Sequence, residues 1–166
     1  MNAGQLPERL PNGAHSIFVP AQIFRTRDGH VALFITHDRF WRTFANTVGR
    51  PDWLEDRRFA SMAARRENRE LVVESIQTEL CRLTAVEWVD LLQPPGVVIA
   101  AISRLDDALS CENVAARGMV VSIDTPAGHL RLVGNPIKVD GFEELYRAPP
   151  RLGEDTVLLE SPGLGR

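Results

Sequence analysis

Two β-prone runs, Gln22-Ile23-Phe24-Arg25-Thr26 and His30-Val31-Ala32-Leu33-Phe34-Ile35, are separated only by Arg27-Asp28-Gly29. Asp-Gly between such runs is the strongest short-range hairpin signal, because glycine takes a positive φ without steric cost. Helical patterning follows at once. Phe40, Trp41, Phe44 and Val48 recur at helical spacing over Asp38 to Val48, with Asp38 as the expected N-cap and Gly49-Arg50-Pro51 as the stop. Ser61 is the expected cap of a long helix to about Leu83. Its apolar stripe is Leu71 or Val72, Ile76, Leu80 and Leu83, and Arg65, Arg66, Arg69 and Glu70 lie on the opposite face. Thr84-Ala85-Val86-Glu87 fits a capping box opening a third helix, which Pro94-Pro95-Gly96 ends.

The second half carries weaker signals. Val97 to Ile102 is a continuous apolar run of strand length. Short helices are expected from a Ser103 cap through Leu109 and over Asn113 to Arg117. Strands are expected over Met119 to Ile123 and His129 to Val133, joined by Asp124-Thr125-Pro126-Ala127-Gly128 as a second hairpin. The fold class is α+β: a small, mostly antiparallel sheet against three to four helices. Residues 1–20 form an irregular lead-in, 21–140 the small domain and 141–166 an extended tail. Both ends read as segments that lie on something else.

Composition excludes several classes. With 19 basic and 22 acidic residues among 166, the net charge is −3. That argues against nucleic acid and anionic membrane as partners, since both demand a positive surplus. The longest aliphatic stretch has six residues, whereas a membrane-spanning helix needs about 20. The first ten residues lack the apolar core of a secretory signal, and two cysteines are too few for a disulfide framework. A cytoplasmic location is therefore expected. Of the 19 basic residues only Lys138 is lysine, and a GC-rich genome explains that better than phosphate recognition.

No self-contained active site is legible. His15, His30, His37 and His129 form no H-x-x-x-H pair and adjoin no cysteine, so no metal is expected. There is no Gly-x-Ser-x-Gly elbow, Walker loop or Gly-x-Gly-x-x-Gly. Cys81 lies in the apolar stripe and reads as an inert core thiol. Arg57, Arg58, Arg65, Arg66 and Arg69 read as a solvated helix face with Glu67 and Glu70 as partners, in preference to an anion site. Phe40, Trp41, Phe44, Trp53 and Phe59 read as core.

The order of these pieces carries a resemblance. Phe24-Arg25-Thr26-Arg27-Asp28-Gly29, with Val19-Pro20 before it, resembles the opening of one region of the class III CoA-transferases. That family includes formyl-CoA transferase, carnitine CoA-transferase and α-methylacyl-CoA racemase. Val48-Gly49-Arg50-Pro51 through Asp56-Arg57-Arg58-Phe59 is similar to a further family segment. So are Arg66-Glu67-Asn68-Arg69, Thr84 to Trp88, Gly96-Val97, Ala116-Arg117-Gly118-Met119, Gly134-Asn135-Pro136 and Pro149 to Glu154, in the family's order.

The resemblance implies the small-domain portion of an enzyme that moves CoA between an acyl-CoA thioester and a carboxylic acid. The large domain, with most CoA contacts and the nucleophilic Asp, lies outside it; no Asp here matches that motif. No cofactor is implied, since the CoA thioester is the substrate. The implied partners are acyl-CoA and either a large-domain subunit or a second copy in a homodimer. The implied CoA-proximal residues are Gly13, His15, Gln22, Arg25 and His37, around the hairpin that in the family approaches the acyl end of CoA. Departures are visible: only Gly13 remains of a glycine-rich loop, both prolines are missing from Gly96 to Ile102, and Asp155 replaces a histidine. In the racemase branch an acidic residue tends to stand where His37 does, which makes a racemase the weaker reading. These losses fit a truncated chain, half of a split enzyme, or a non-catalytic remnant.

Overall fold

The hairpin forms as β1 (Ala21–Arg25) and β2 (His30–Phe34), antiparallel, with Gln22 opposite Leu33 and Arg25 opposite His30. This is a computed structural model, and it describes residues 9–156. The expected lead-in and tail run partly outside that range. Gly29 does not take a positive φ. The turn is instead fixed by side chains: Thr26 Oγ1 donates to Asp28 Oδ1 (3.1 Å), and the Gly29 N–H donates to Thr26 Oγ1 (3.1 Å). Asp28 Oδ1 also accepts from the Ala85 N–H at 2.9 Å. That bond, foremost, holds the Asp28 carboxyl below the usual carboxylate range.

Behind the hairpin come α1 (Asp38–Thr47), a 3-10 turn at Pro51–Leu54, α2 (Met62–Glu67), α3 (Arg69–Leu80), α4 (Ala85–Leu92) and β3 (Val98–Ala101). β3 pairs antiparallel with β2, giving the sheet order β1-β2-β3. The capping box is present: Thr84 Oγ1 accepts from the Glu87 N–H at 3.2 Å, and Glu87 Oε2 accepts from the Thr84 N–H at 2.7 Å. The hairpin tip docks on this corner. The Arg27 N–H donates to the Leu83 carbonyl at 2.9 Å, and the Arg27 guanidinium pairs with Glu87 at 3.1 Å. The Thr-Arg-Asp-Gly and Thr-x-x-Glu-Trp pieces are thus two halves of one joint.

The inner sheet face carries Gln22, Phe24, Val31, Leu33 and Ile99, all buried, while Ile23, Phe34 and Val98 on the other face are 37–58% exposed. On the inner side Trp41, Trp53 and Phe59 stack, with centroids 5.5–6.2 Å apart. The aromatic cluster is core, as its spacing predicts. At the sheet edges, Gln77 exchanges two hydrogen bonds with the Arg25 backbone (3.0 and 2.9 Å), and Gln93 Nε2 donates to the Ile99 carbonyl (2.9 Å).

The chain divides into two compact units, residues 1–102 and 103–166, a boundary inside the 21–140 span marked by the sequence. The second unit contains α5 (Leu105–Ser110), α6 (Glu112–Ala116) and a hairpin of β4 (Val120–Thr125) and β5 (Gly128–Val133). Gly128, at φ 118°, closes the Pro126-Ala127 turn. Gly134 is required for a different reason: a Cβ there would lie 2.9 Å from the Gly118 carbonyl oxygen and 3.2 Å from the Tyr146 hydroxyl. The class is α+β, with six α-helical segments among the described residues. None of these helices is long and apolar enough to cross a membrane.

Several expectations are corrected. The long helix is broken at Asn68 (φ −106°, ψ 32°), whose Nδ2 donates to the Ala64 carbonyl at 2.9 Å, an Asn side chain competing with helix continuation. Ser61 caps the first piece, accepting from the Ala64 N–H. His37, not Asp38, is the N-cap of α1, and Asp38 turns its carboxylate to Arg65 instead. Arg104, not Ser103, precedes α5. Cys81 caps α3 in αR conformation and is exposed, since one residue past Leu80 it stands about 100° round from the buried side.

The basic face is corrected most. Arg65 is fully buried, donating from Nε to the Val19 carbonyl (3.0 Å), from Nη1 to the Phe59 carbonyl (2.9 Å) and from Nη2 to Asp38 (2.7 Å). Its guanidinium lies over the Trp41 ring at 4.7 Å. Burial lowers its pKa and Asp38 opposes that; an arginine stays charged regardless.

Candidate functional site

The site begins with a chain reversal. Asn12 (φ 55°) and Gly13 (φ 66°) both occupy the left-handed region, which turns the Pro11–Gly13 segment back toward β1. The His15 N–H then donates to the Ala21 carbonyl at 2.9 Å. His15 Nδ1 accepts from the Ile17 and Phe18 N–H groups at 3.0 and 3.2 Å. Those bonds assign the proton of a neutral ring to Nε2.

Two arginines four residues apart fasten the strap between this turn and β1. Arg69 Nη2 donates to the carbonyls of His15 and Ser16, both at 2.9 Å, and Arg65 holds Val19. Burial lowers the Arg69 pKa, and like Arg65 it stays charged.

Between strap, β1 and α3 lies a groove of about 280 Å³. Leu10 and Val73 contribute apolar surface; Asn12, Gln22, Arg69 and Glu70 contribute polar groups. Gln22 is 5% exposed as a residue and lines the groove.

Of the five sequence-predicted residues, Gln22 lines the groove, Gly13 shapes its rim, and His15 anchors the strap through backbone atoms. Arg25 and His37 stand apart from it. Arg25 is exposed at the tip end of β1, its backbone tied to Gln77, and His37 is exposed at the start of α1, its side chain making no capping bond. Sequence reasoning missed Arg69, Glu70 and Val73. Their one available signal was the four-residue spacing of Arg65 and Arg69, which places both on one helical side.

Among the described residues no cluster of three His, Cys, Asp or Glu fits a metal ion. Cys81 lies outside the groove, with its Sγ 3.9 Å from the Arg25 carbonyl. The groove's acid, Glu70, is exposed and makes no hydrogen bond to a base among the described residues.

Comparison with known proteins supplies the wider setting. Residues 1–156 match CoA-transferase family III. An acetyl-CoA:oxalate CoA-transferase of Acetobacter aceti is 24% identical over 158 residues, covering 94% of this chain and 39% of the relative. A formyl-CoA:oxalate CoA-transferase of Rhodopseudomonas palustris is 31% identical over 125 residues, covering 74% of this chain and 29% of the relative. The crystal structure of a CaiB/BaiF family protein from Brucella suis shares the fold, with a TM-score of 0.80 at 24% identity, covering 96% of this chain and 41% of that one. The chain thus spans 29–39% of the length of these two curated relatives.

Proposed function

This chain belongs to CoA-transferase family III, and we propose that it contributes the small lobe of an enzyme moving CoA from an acyl-CoA thioester to a carboxylic acid. The observation that carries this reading is the family match across residues 1–156. The named relatives act on acetyl-CoA or formyl-CoA with oxalate. In acyl transfer of this kind a carboxylate attacks the thioester carbonyl, CoA leaves as its thiol, and a mixed anhydride carries the acyl group onward. We assign that carboxylate to sequence outside residues 1–166, on a longer polypeptide or on a separate large-domain subunit. The groove at Gln22 is the part of this lobe that meets the thioester.

A second reading is favoured by one observation. Where the family carries two prolines after Gly96-Val97, this chain forms the regular strand β3, paired along its length with β2. That departure suits a non-catalytic remnant or dimerisation module.

The test is isotope exchange between acetyl-CoA and labelled oxalate or acetate. The chain alone should show no exchange above background and should bind CoA no better than millimolar by calorimetry. Added to the large-domain portion of the same enzyme, as a fusion or in trans, it should restore exchange. Complex formation without exchange, for every acid tried, would leave the non-catalytic reading.

A further inference from the structure

The chain has one lysine and one tyrosine, and both donate to the same carboxylate oxygen. Lys138 Nζ reaches Glu144 Oε2 at 2.6 Å, and the Tyr146 hydroxyl reaches it at 2.9 Å. That hydroxyl also accepts from the Asn135 N–H at 2.7 Å, over a backbone that Gly134 leaves clear. Asn135 Oδ1 in turn accepts from the Ile137 N–H at 3.0 Å. Residues 134–146 thus close into a loop whose latch is one ion pair. Glu144 Oε1 is buried with no partner among the described residues. The carboxylate is therefore balanced from one side alone, foremost by Lys138, which holds its pKa below the ordinary range.

We propose that Lys138 is an acyl-modification site gated by Glu144: modification requires the latch to open, and afterwards keeps it open. The choice of an acyl-CoA thioester as donor rests on the reading above. In the step, the Lys138 ammonium leaves Glu144 and gives one proton to water. The free amine attacks the thioester carbonyl, the C–N bond forms, the C–S bond breaks, and CoA leaves as its thiol with a second proton of the nitrogen. The Lys138 side chain is 35% exposed, so it is held yet within reach. It borders an open hollow of about 480 Å³ that Arg117, Val139 and Phe142 also line. Val139 and Phe142 are largely exposed and offer apolar surface to an acyl chain. In the other ion pairs of the described residues the cation is an arginine or His129. Lysine is the side chain that acylation neutralises, whereas a guanidinium keeps its charge. A GC-rich genome accounts for the scarcity of lysine and not for its placement on this latch. With the ammonium gone, Glu144 is left as a half-bonded, uncompensated charge, which is costly away from water. The carboxylate then swings out to solvent and Tyr146 loses its acceptor.

The experiment incubates the full chain, and a synthetic peptide of residues 130–146, with millimolar acetyl-CoA and follows acetylation of Lys138 by peptide mass spectrometry. Lys138 should react about tenfold more slowly in the chain than in the peptide, the factor expected of one charge-assisted hydrogen bond. Glu144→Gln should remove most of that difference. Hydrogen exchange over residues 135–146 reads the latch. The acetylated chain and Lys138→Gln should exchange about tenfold faster than the native chain, while Lys138→Arg, which keeps the charge, should not. Native protection of β2 in each variant confirms that the fold is intact. Equal rates in chain and peptide, or a Glu144→Gln chain as slow as the native one, overturn the gate. Native exchange rates in both the acetylated chain and Lys138→Gln overturn the latch. An activated acetyl ester in place of acetyl-CoA should meet the same gate, since the gate belongs to Lys138 and not to the donor. The two readings fail separately: absent isotope exchange in the reconstituted enzyme removes the transferase reading and leaves these rates standing, whereas an ungated Lys138 beside restored exchange removes only this inference.

Discussion

The two units of this chain are built from similar local signals but differ in what they bury. Among the described residues, 20 apolar side chains before Ser103 are buried, whereas after it Ile123 is the single one. Both contain helices and an antiparallel hairpin. In the second unit, however, Leu105, Val133, Ile137, Phe142 and Leu145 are 64–77% exposed. Backbone pattern specifies the elements, yet ordering each residue costs roughly 1–2 kcal/mol that only burial offsets. The first unit has that burial within itself; the second has the pattern with far less of the burial among the described residues.

Hydrogen exchange on the intact chain would break or sharpen this contrast most strongly. Core amides of β2 and α3 should be protected at least about a thousandfold more than those of β4 and β5, matching global against local opening. Equal protection would show that the second unit has a core of its own. Next in size is Arg65→Met, which strands the Val19 and Phe59 carbonyls and frees Asp38. It should destabilise the first unit by about 3 kcal/mol in urea unfolding. Arg65→Lys should not rescue it, since an ammonium cannot span the same fork. Then comes a matched pair: Ile76→Ala, in the core, should cost about 3 kcal/mol, and Ile123→Ala less than about 1 kcal/mol.

The smallest effect is the acid response. The Glu79 carboxyl is pushed up by burial, but hydrogen bonds from Arg82 and Arg50 outweigh this and its pKa is lowered in the fold. Asp28 is lowered as well. A carboxyl lowered by folding adds stability above its unfolded value and loses it as pH falls through the folded one. Unfolding midpoints should therefore drop below about pH 4, where free carboxyls titrate. Asp28→Asn with Glu79→Gln should flatten that dependence, and an unaltered slope would show that neither group is responsible.

What the sequence made legible was local. Thr84 and Glu87 lie three residues apart, and their reciprocal capping depends on nothing distant. The hairpin follows from Asp-Gly between two β-prone runs, the strand after Gly96 from an unbroken apolar run, and the core from large aromatics close in sequence. What escaped was set by distant contacts. Arg65 looks like one more charge on a basic face, since the carbonyl that buries it belongs to Val19, 46 residues earlier. Cys81 lies among the stripe residues in sequence, but it is one residue past Leu80 and so about 100° round the helix from the buried side. The groove was half legible. Gln22 could be placed beside it by family resemblance, whereas Arg69 and Glu70 join it only because the strap folds back over α3.

Gln77 and Gln93 have a consequence for assembly. One stands against the outer edge of β1 and the other against that of β3, each using the backbone groups an incoming strand would need. An incoming strand thus finds the Arg25 backbone on one flank and the Ile99 carbonyl on the other already occupied.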